Sequence, residues 1–555
     1  MNFIARLALR LFALPTLAVL FTAACLLPTH VNAQVVAEAA PIAFDVESAA
    51  IEKGLELERA HMWGEAIRHY EAESRHFPQS TKLYQRLVIS RLHNDVTRRM
   101  QDDSYVTSIS SLGTSQALDL YSEVLANLKT HYVEEIDWSR IQVHGTAALE
   151  VALTEEKFVK QLMPNADPAA VERFRQSIHH KLQSRNTSTR FDLRGNAAFV
   201  AELARNELNL SPTATVLEFL SGAISTLDPY TRLLSPSQLS EMFNNIEGNF
   251  VGLGIELEAD TDCLKILSVI PKGPAEEAGI LAGEKIVGVE KARTSVVDSN
   301  RVADMLRGPE HSYVSLQIAN AQGEERTMNV QRRRVEVPCV ENVHFVDVEN
   351  RVAYLRLTNF QKTTTRDIER ALWSLHRQGM RHLIIDVRGN PGGLLSAAVE
   401  ISDRFIESGR ILTTRGRNVR ENFDYAAHRQ NTWSVPMAVL VDRDSASASE
   451  IFAGAIHDSG RGEIIGETSY GKGSVQGIFR MQTADFGLCL TTAKFYSPSG
   501  RAISQNGVEP TIPVERTYIA ARPNDAGELT KDLDDAVLQK AVETFTSRTM
   551  ISRRP

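Results

Sequence analysis

Met437-Ala438-Val439-Leu440-Val441 is an unbroken apolar run, short enough to be a buried strand. The small, polar Ser445-Ala446-Ser447-Ala448-Ser449 follows, and Glu450-Ile451-Phe452-Ala453-Gly454-Ala455-Ile456 then has a helical pattern. Glu463-Ile464-Ile465-Gly466 predicts a second strand, which runs into a glycine-flanked loop at 471–476; Val475-Gln476-Gly477-Ile478-Phe479 predicts a third. The same alternation occurs upstream. Val352-Ala353-Tyr354-Leu355-Arg356-Leu357 alternates as a strand, and a helix is expected from about Thr364 to Arg377. Leu383-Ile384-Ile385-Asp386-Val387 is a buried strand entering the turn Arg388-Gly389-Asn390-Pro391-Gly392-Gly393. Strand and helix alternating in this way predict a βα-layered core with parallel pairings over residues 345–515. The stretches 45–110 and 115–245 are helix-prone, and 516–555 closes with a helical pattern at Asp534-Asp535-Ala536-Val537-Leu538. The expected class is therefore a multidomain α+β protein.

Residues 1–33 read as an export signal. Arg6 and Arg10 precede an apolar stretch at 11–27, and Val31-Asn32-Ala33 offers a small-residue cleavage site. The apolar stretch is short for a membrane span, and Thr22-Ala23-Ala24-Cys25 is a poor lipidation site. The expectation is an exported, periplasmic or cell-envelope protein. An uncleaved or lipidated leader, which would leave it membrane-associated, is the alternative. Past the leader only Cys263, Cys339 and Cys489 remain, an odd, sparse set that argues against a disulfide framework. In 45–110, Gly54, Ala66, Tyr70 and Pro78 fall at the small, small, aromatic and proline positions of one tetratricopeptide repeat, and Tyr84 and Leu87 suit the start of a second. Such solenoids need about three repeats, so a single repeat, able to hold an adaptor, and a plain helical hairpin both stay open.

The 555 residues, 43% hydrophobic and 23% charged, describe a globular protein of several domains, and a net charge of −8 carries no footprint for nucleic acid. Candidate chemistry lies where the strand at 437–441 turns into a helix. A serine in such a turn faces the positive end of the helix, with free N–H groups near it to hold an oxyanion. His457 lies well down the helix and away from the turn, and Lys472 is the other candidate base. An amine with an ordinary pKa of about 10.4 must be desolvated to act near neutrality. Gln476 could orient it. The plainer reading is three serines capping a helix and a solvated lysine. Gly466-Glu467-Thr468-Ser469-Tyr470-Gly471-Lys472 fits half of a phosphate-binding loop. Gly473 stands where Ser or Thr should hold magnesium, and a strand pattern follows instead of a helix, so that reading is rejected.

The segment resembles the active-site region of the C-terminal processing peptidases, or tail-specific proteases, whose signature is S-A-S-A-S-E followed by G-K-G-[ST]-V-Q. The family's lysine lies 25 residues after its middle serine and its glutamine four residues further on, as do Lys472 and Gln476 relative to Ser447. The resemblance implies Ser447 as nucleophile, Lys472 as general base and then acid, and Gln476 as orienter. It also implies an oxyanion hole made by the backbone of Ala448 and of Gly392 or Gly393, on a crotonase-like core. Leu120-Tyr121-Ser122-Glu123-Val124-Leu125 and Leu227-Asp228-Pro229-Tyr230-Thr231 resemble the family's helical segment, interrupted by a charged insertion at 143–212. Residues 247–335 resemble a PDZ domain, a small β-barrel-like module. Gly252, Leu253, Gly254 and Ile255 form its carboxylate-binding loop, and Gly273-Pro274-Ala275 and Gly283-Glu284-Lys285-Ile286 follow in order. Thr511 stands where the family usually has an acid. The likeness covers about residues 120–545.

What this implies is an exported serine endopeptidase that takes protein substrates by free, apolar C-terminal tails and cleaves through an acyl-enzyme. No cofactor or metal is implied, because no His, Cys or Asp cluster has ligand spacing. The rivals are a catalytically silent scaffold that only holds tails, and a crotonase-like acyltransferase, which would not need the PDZ module.

Overall fold

The computed structural model describes residues 40–225, 227–259, 263–294, 302, 305–515 and 535–552. The leader at 1–33, including Cys25, lies outside them. The chain divides into two units, one of residues 1–126, 137–233 and 481–484, the other of 127–136, 234–480 and 485–555.

The first unit is helical. Helices Ala40–Arg59 and Trp63–His76 pack together, and the second packs on Thr81–Arg99. Pro78 cannot continue a helix, and the Ser80 side chain accepts the N–H of Leu83 to start the next one. Ala66 and Tyr70 are fully buried, and a Cβ added at Gly54 would lie 2.2 Å from the Tyr70 ring. The small and aromatic positions of the pattern thus share one packing contact. The insertion expected at 143–212 begins inside helix Trp138–Ala152 and ends where Pro212–Ser225 begins. Its helices start at strong caps. Asp137 and Asp167 each accept two backbone N–H groups, and Thr189 and Asp192 form a reciprocal capping box. A three-residue strand, Arg232–Leu234, interrupts the stretch 115–245 expected to be helical. It follows the Asp228 turn, whose carboxylate accepts the N–H groups of Tyr230 and Thr231.

The second unit begins with strands β1 (Asn249–Gly252), β2 (Ile255–Ala259), β3 (Leu264–Val269), β4 (Lys285–Val289), β5 (Tyr313–Ala319), β6 (Glu325–Gln331) and β7 (Arg333–Glu336). Strands β2-β3-β4-β5-β6 form an antiparallel sheet with β2 at its edge, and β1 pairs with β7 as a separate ribbon. Ile266, Ile286, Val314 and Leu316 fill the core of this module.

The remaining strands are β8 (Val340–Asp347), β9 (Val352–Leu357), β10 (His382–Asp386), β11 (Arg410–Arg415), β12 (Phe423–Ala426), β13 (Met437–Val441), β14 (Glu463–Gly466), β15 (Ser474–Arg480), β16 (Gly487–Tyr496) and β17 (Ile512–Pro513). One sheet runs β8-β9-β10-β13-β14-β17; only β8 is antiparallel to its neighbour. It starts at Val340, a few residues ahead of the expected boundary at 345, because β8 is an edge strand with mostly exposed positions and a weak apolar signal. Helices α1 (Thr364–Arg377), α2 (Leu395–Asp403) and α3 (Ala448–Asp458) cover one face through Ile368, Ile401 and Phe452. Helix α4 (Ala536–Ser552) covers the other through Val537, Ala541 and Phe545. A second, antiparallel sheet contains β15-β16-β11-β12. Cys339 and Cys489 are buried thiols.

Two glycines of the first helical hairpin should respond oppositely to alanine. Gly54→Ala drives a methyl into the Tyr70 ring and should lower stability by about 1–3 kcal/mol. Gly64, whose added Cβ would meet only the tip of Arg68 at 4.0 Å, should gain about 0.4–1 kcal/mol from the same change. Thermal melting of both variants checks the pair; equal shifts would refute the packing described.

Candidate active site

Parallel neighbours end on the same edge of a sheet, and β10 and β13 are such neighbours, in register from Leu383 opposite Met437 to Asp386 opposite Leu440. The turns that leave them therefore meet. Asn390 accepts the N–H of Ala446 at 3.0 Å through its backbone carbonyl, and Asp442 accepts the N–H of Gly389 at 2.9 Å. Gly392, at φ +105°, lies so close that an added Cβ would stand 2.8 Å from Ser447 Cβ and 2.9 Å from the Ala448 nitrogen.

The three serines of this turn are not equivalent. Ser445 and Ser449 have no exposure, and their hydroxyls donate to the carbonyls of Val387 and Asn390 at 2.8 and 2.9 Å. Ser447 alone stays partly exposed, and its backbone is held at φ 56°, ψ −113°. A non-glycine residue there costs on the order of 1–3 kcal/mol and persists only where its surroundings fix it. Here they do. The residue stands at the N-terminus of α3, where unpaired N–H groups and the helix dipole favour negative charge.

The lysine loop reaches the same place from β14. Glu450, in the first turn of α3, is fully buried, and its carboxylate gathers four donors: the N–H groups of Ser447 (2.8 Å), Gly471 (2.6 Å) and Lys472 (2.9 Å), and the Ser469 hydroxyl (2.6 Å). One carboxylate oxygen takes both the Ser447 and the Lys472 amide. Burial pushes the Glu450 carboxyl above the usual range, and the donors oppose that shift. Gly473 keeps the loop pressed on its neighbour: an added Cβ would lie 2.2 Å from the Ser504 nitrogen. Lys472 is itself half-buried.

Residues 351–514 match the Peptidase family S41, and residues 265–320 match a PDZ domain. The chain is 35% identical over 302 residues to the carboxy-terminal-processing protease of Bartonella bacilliformis, covering 54% of this chain and 69% of that one. It is 31% identical over 352 residues to the carboxyl-terminal-processing protease of Synechocystis sp., covering 62% and 80%. The chain belongs to the carboxyl-terminal-processing proteases. It is accordingly a serine-type peptidase with a helical N-terminal region, a PDZ domain and an S41 core. Among solved structures, the photosystem II D1 C-terminal processing protease overlays with a TM-score of 0.37 at 24% identity, covering 72% of this chain and 93% of that one, a score on which nothing further rests.

Between the two glycines considered for the oxyanion hole, the hydrogen bonds discriminate. Gly392 N–H already donates to Asn390 Oδ1 at 2.9 Å, whereas among the described residues nothing accepts from Gly393 N–H or Ala448 N–H. Gln476 lies on β15 beside a bulge, and its amide nitrogen donates to Ser474 Oγ at 2.9 Å. In the PDZ domain, Leu253 turns into the core, Gly254 adopts φ +76°, and their carbonyls accept from Ala275 and Ile270 at 2.9 and 2.8 Å. Their N–H groups have no backbone partner among the described residues, and Ile255 opens the edge strand β2.

Glu450 is the residue that sequence reasoning passed over. It was visible as the last letter of S-A-S-A-S-E, and the Ser-x-x-Glu spacing of a capping box was the signal available. Glu450→Gln keeps the shape but offers only one acceptor oxygen to four donors. It should lower kcat about a hundredfold, the order expected when reacting groups are misplaced by about 1 Å. Steady-state kinetics check this; wild-type turnover would show that the carboxylate does not organise the site.

Proposed function

We propose that the protein cleaves its substrates by a Ser447–Lys472 dyad. The observation that carries this is the convergence on Glu450 of the strained, partly exposed Ser447 and the Lys472 loop. Ser447 Oγ attacks the scissile carbonyl while the neutral Lys472 amine takes its proton. Ala448 N–H and Gly393 N–H hold the oxyanion. Collapse of the tetrahedral intermediate expels the new amine, protonated by Lys472, and leaves an acyl-Ser447 ester. Water, deprotonated by Lys472, then releases the acid. Gln476 is read as the side chain that orients the lysine amine, and its position on β15 directly after the loop supports this.

Ser447→Ala should lose several orders of magnitude in peptide hydrolysis with folding unchanged. Lys472→Arg should be as inactive as Lys472→Ala, since arginine keeps the charge but is not deprotonated in proteins. Appreciable turnover by the arginine variant would remove the dyad and favour a purely structural lysine.

The substrates we propose are proteins with free, apolar C-termini. The edge strand β2 can accept a tail as an added strand, and the N–H groups of Leu253 and Gly254, which have no backbone partner among the described residues, suit its terminal carboxylate. A silent scaffold would need only this half of the molecule. Export, with residues 1–33 as the signal, and adaptor binding through the helices of 45–110 belong to the same reading. A free-acid peptide should be hydrolysed about ten- to a hundredfold better in kcat/KM than its amide, as a charge-assisted contact of about 1.5–3 kcal/mol predicts. Equal rates would show that the PDZ domain is not a tail reader.

A further inference from the structure

Arg332 is the single residue between β6, the far strand of the PDZ sheet, and β7 of the β1–β7 ribbon. It is only 6% exposed and bonds to no carboxylate among the described residues. Its guanidinium instead spans three backbone carbonyls and a hydroxyl. Nε donates to Leu306 O at 2.9 Å, Nη2 to Met305 O at 2.8 Å, and Nη1 to Tyr313 O and Ser312 Oγ, both at 2.9 Å. Met305 and Leu306 are the last helical residues before Gly308. A guanidinium there supplies donors to carbonyls that a helix end leaves unpaired, and its charge suits the negative end of the dipole. Gly308 makes room for it: an added Cβ would lie 2.8 Å from Arg332 Nε and 2.9 Å from Cζ.

The elements that meet at Arg332 are those that would bound a tail. Val302, Met305 and Leu306 share one apolar cluster with Leu253, Ile255 and Leu257 of the loop and edge strand. The neighbouring Arg333 pairs in register with Gly252, where the carboxylate loop begins. We propose that Arg332 is a positioning residue for tail recognition: it pins Met305 and Leu306 to the ribbon that carries the loop, and so fixes how these two apolar residues sit against Leu253, Ile255 and Leu257. This rests on the reading of the PDZ domain as a tail reader. An arginine used only for stability would serve as well paired with an acid. Four neutral acceptors on two different elements instead define a position, and only a planar fork reaches them all.

The test uses full-length enzyme and one peptide in free-acid and amidated form. Wild type, Arg332→Met, Arg332→Lys and Gly308→Ala are compared by initial-rate kinetics. Arg332→Met removes the donors. Gly308→Ala keeps the arginine but pushes it off its acceptors, so the question stays answerable if the methionine variant folds poorly. The acid-over-amide preference should fall from about tenfold or more to about twofold in Arg332→Met and Gly308→Ala. The loss should fall on KM for the acid peptide rather than on kcat. Lysine, a point charge on a flexible stem, should not restore it. A wild-type preference that persists in both Arg332→Met and Gly308→Ala overturns the proposal while leaving tail reading intact. A wild type without any preference overturns tail reading itself, and the role of Arg332 with it.

Discussion

The fully buried carboxylate of Glu450 holds the candidate active site of this protein together. Burying an unpaired carboxylate would cost several kcal/mol, so the chain must bring donors to it. Those donors are the amide of the strained serine, two amides of the lysine loop and the hydroxyl of Ser469. The need to satisfy one acid thereby fixes two segments that lie more than twenty residues apart in the chain. The unusual backbone of Ser447 becomes tolerable because its N–H donates to the Glu450 carboxyl group in the first turn of α3.

Around that acid, the sheet does the coarse placement. Parallel pairing of β10 with β13, and of β13 with β14, brings the glycine turn, the serine turn and the start of the lysine loop to one edge. Fine placement then comes from side chains that use up backbone groups. Asn390 takes up Gly392 N–H, and Ser445 and Ser449 lose their hydroxyls to carbonyls. What remains uncommitted at this edge, among the described residues, is a small set of N–H groups and one partly exposed serine. Selectivity among chemically identical residues is thus set by which of them the fold has already satisfied.

The PDZ domain follows the same logic with a cation. Arg332 is buried with no acid bonded to it among the described residues, because three carbonyls from a helix end and a neighbouring strand, together with the Ser312 hydroxyl, take its bonds. A charged group in a dry place defines geometry strongly, since any displacement leaves either the charge or its acceptors unpaired.

Much of this was legible in the chain itself. The apolar runs at 383–387 and 437–441 gave their strands because burial on both faces demands unbroken hydrophobicity. The S-A-S-A-S-E and G-K-G segments, at the family's spacing, marked Ser447 and Lys472, and the glycines there mark positions where backbone touches backbone. The edge strand β8, mostly exposed, and the short strand at 232–234 left too little apolar signal to delimit. That Gly392 N–H is taken while Gly393 N–H has no acceptor among the described residues, and that Ser445 and Ser449 are spent, emerged only in three dimensions. So did the four-donor environment of Glu450 and the pin at Arg332. Local pattern records which faces are buried, because burial repeats along the chain. Which hydrogen bonds are already taken depends on groups brought together from distant residues, and only the folded chain settles that.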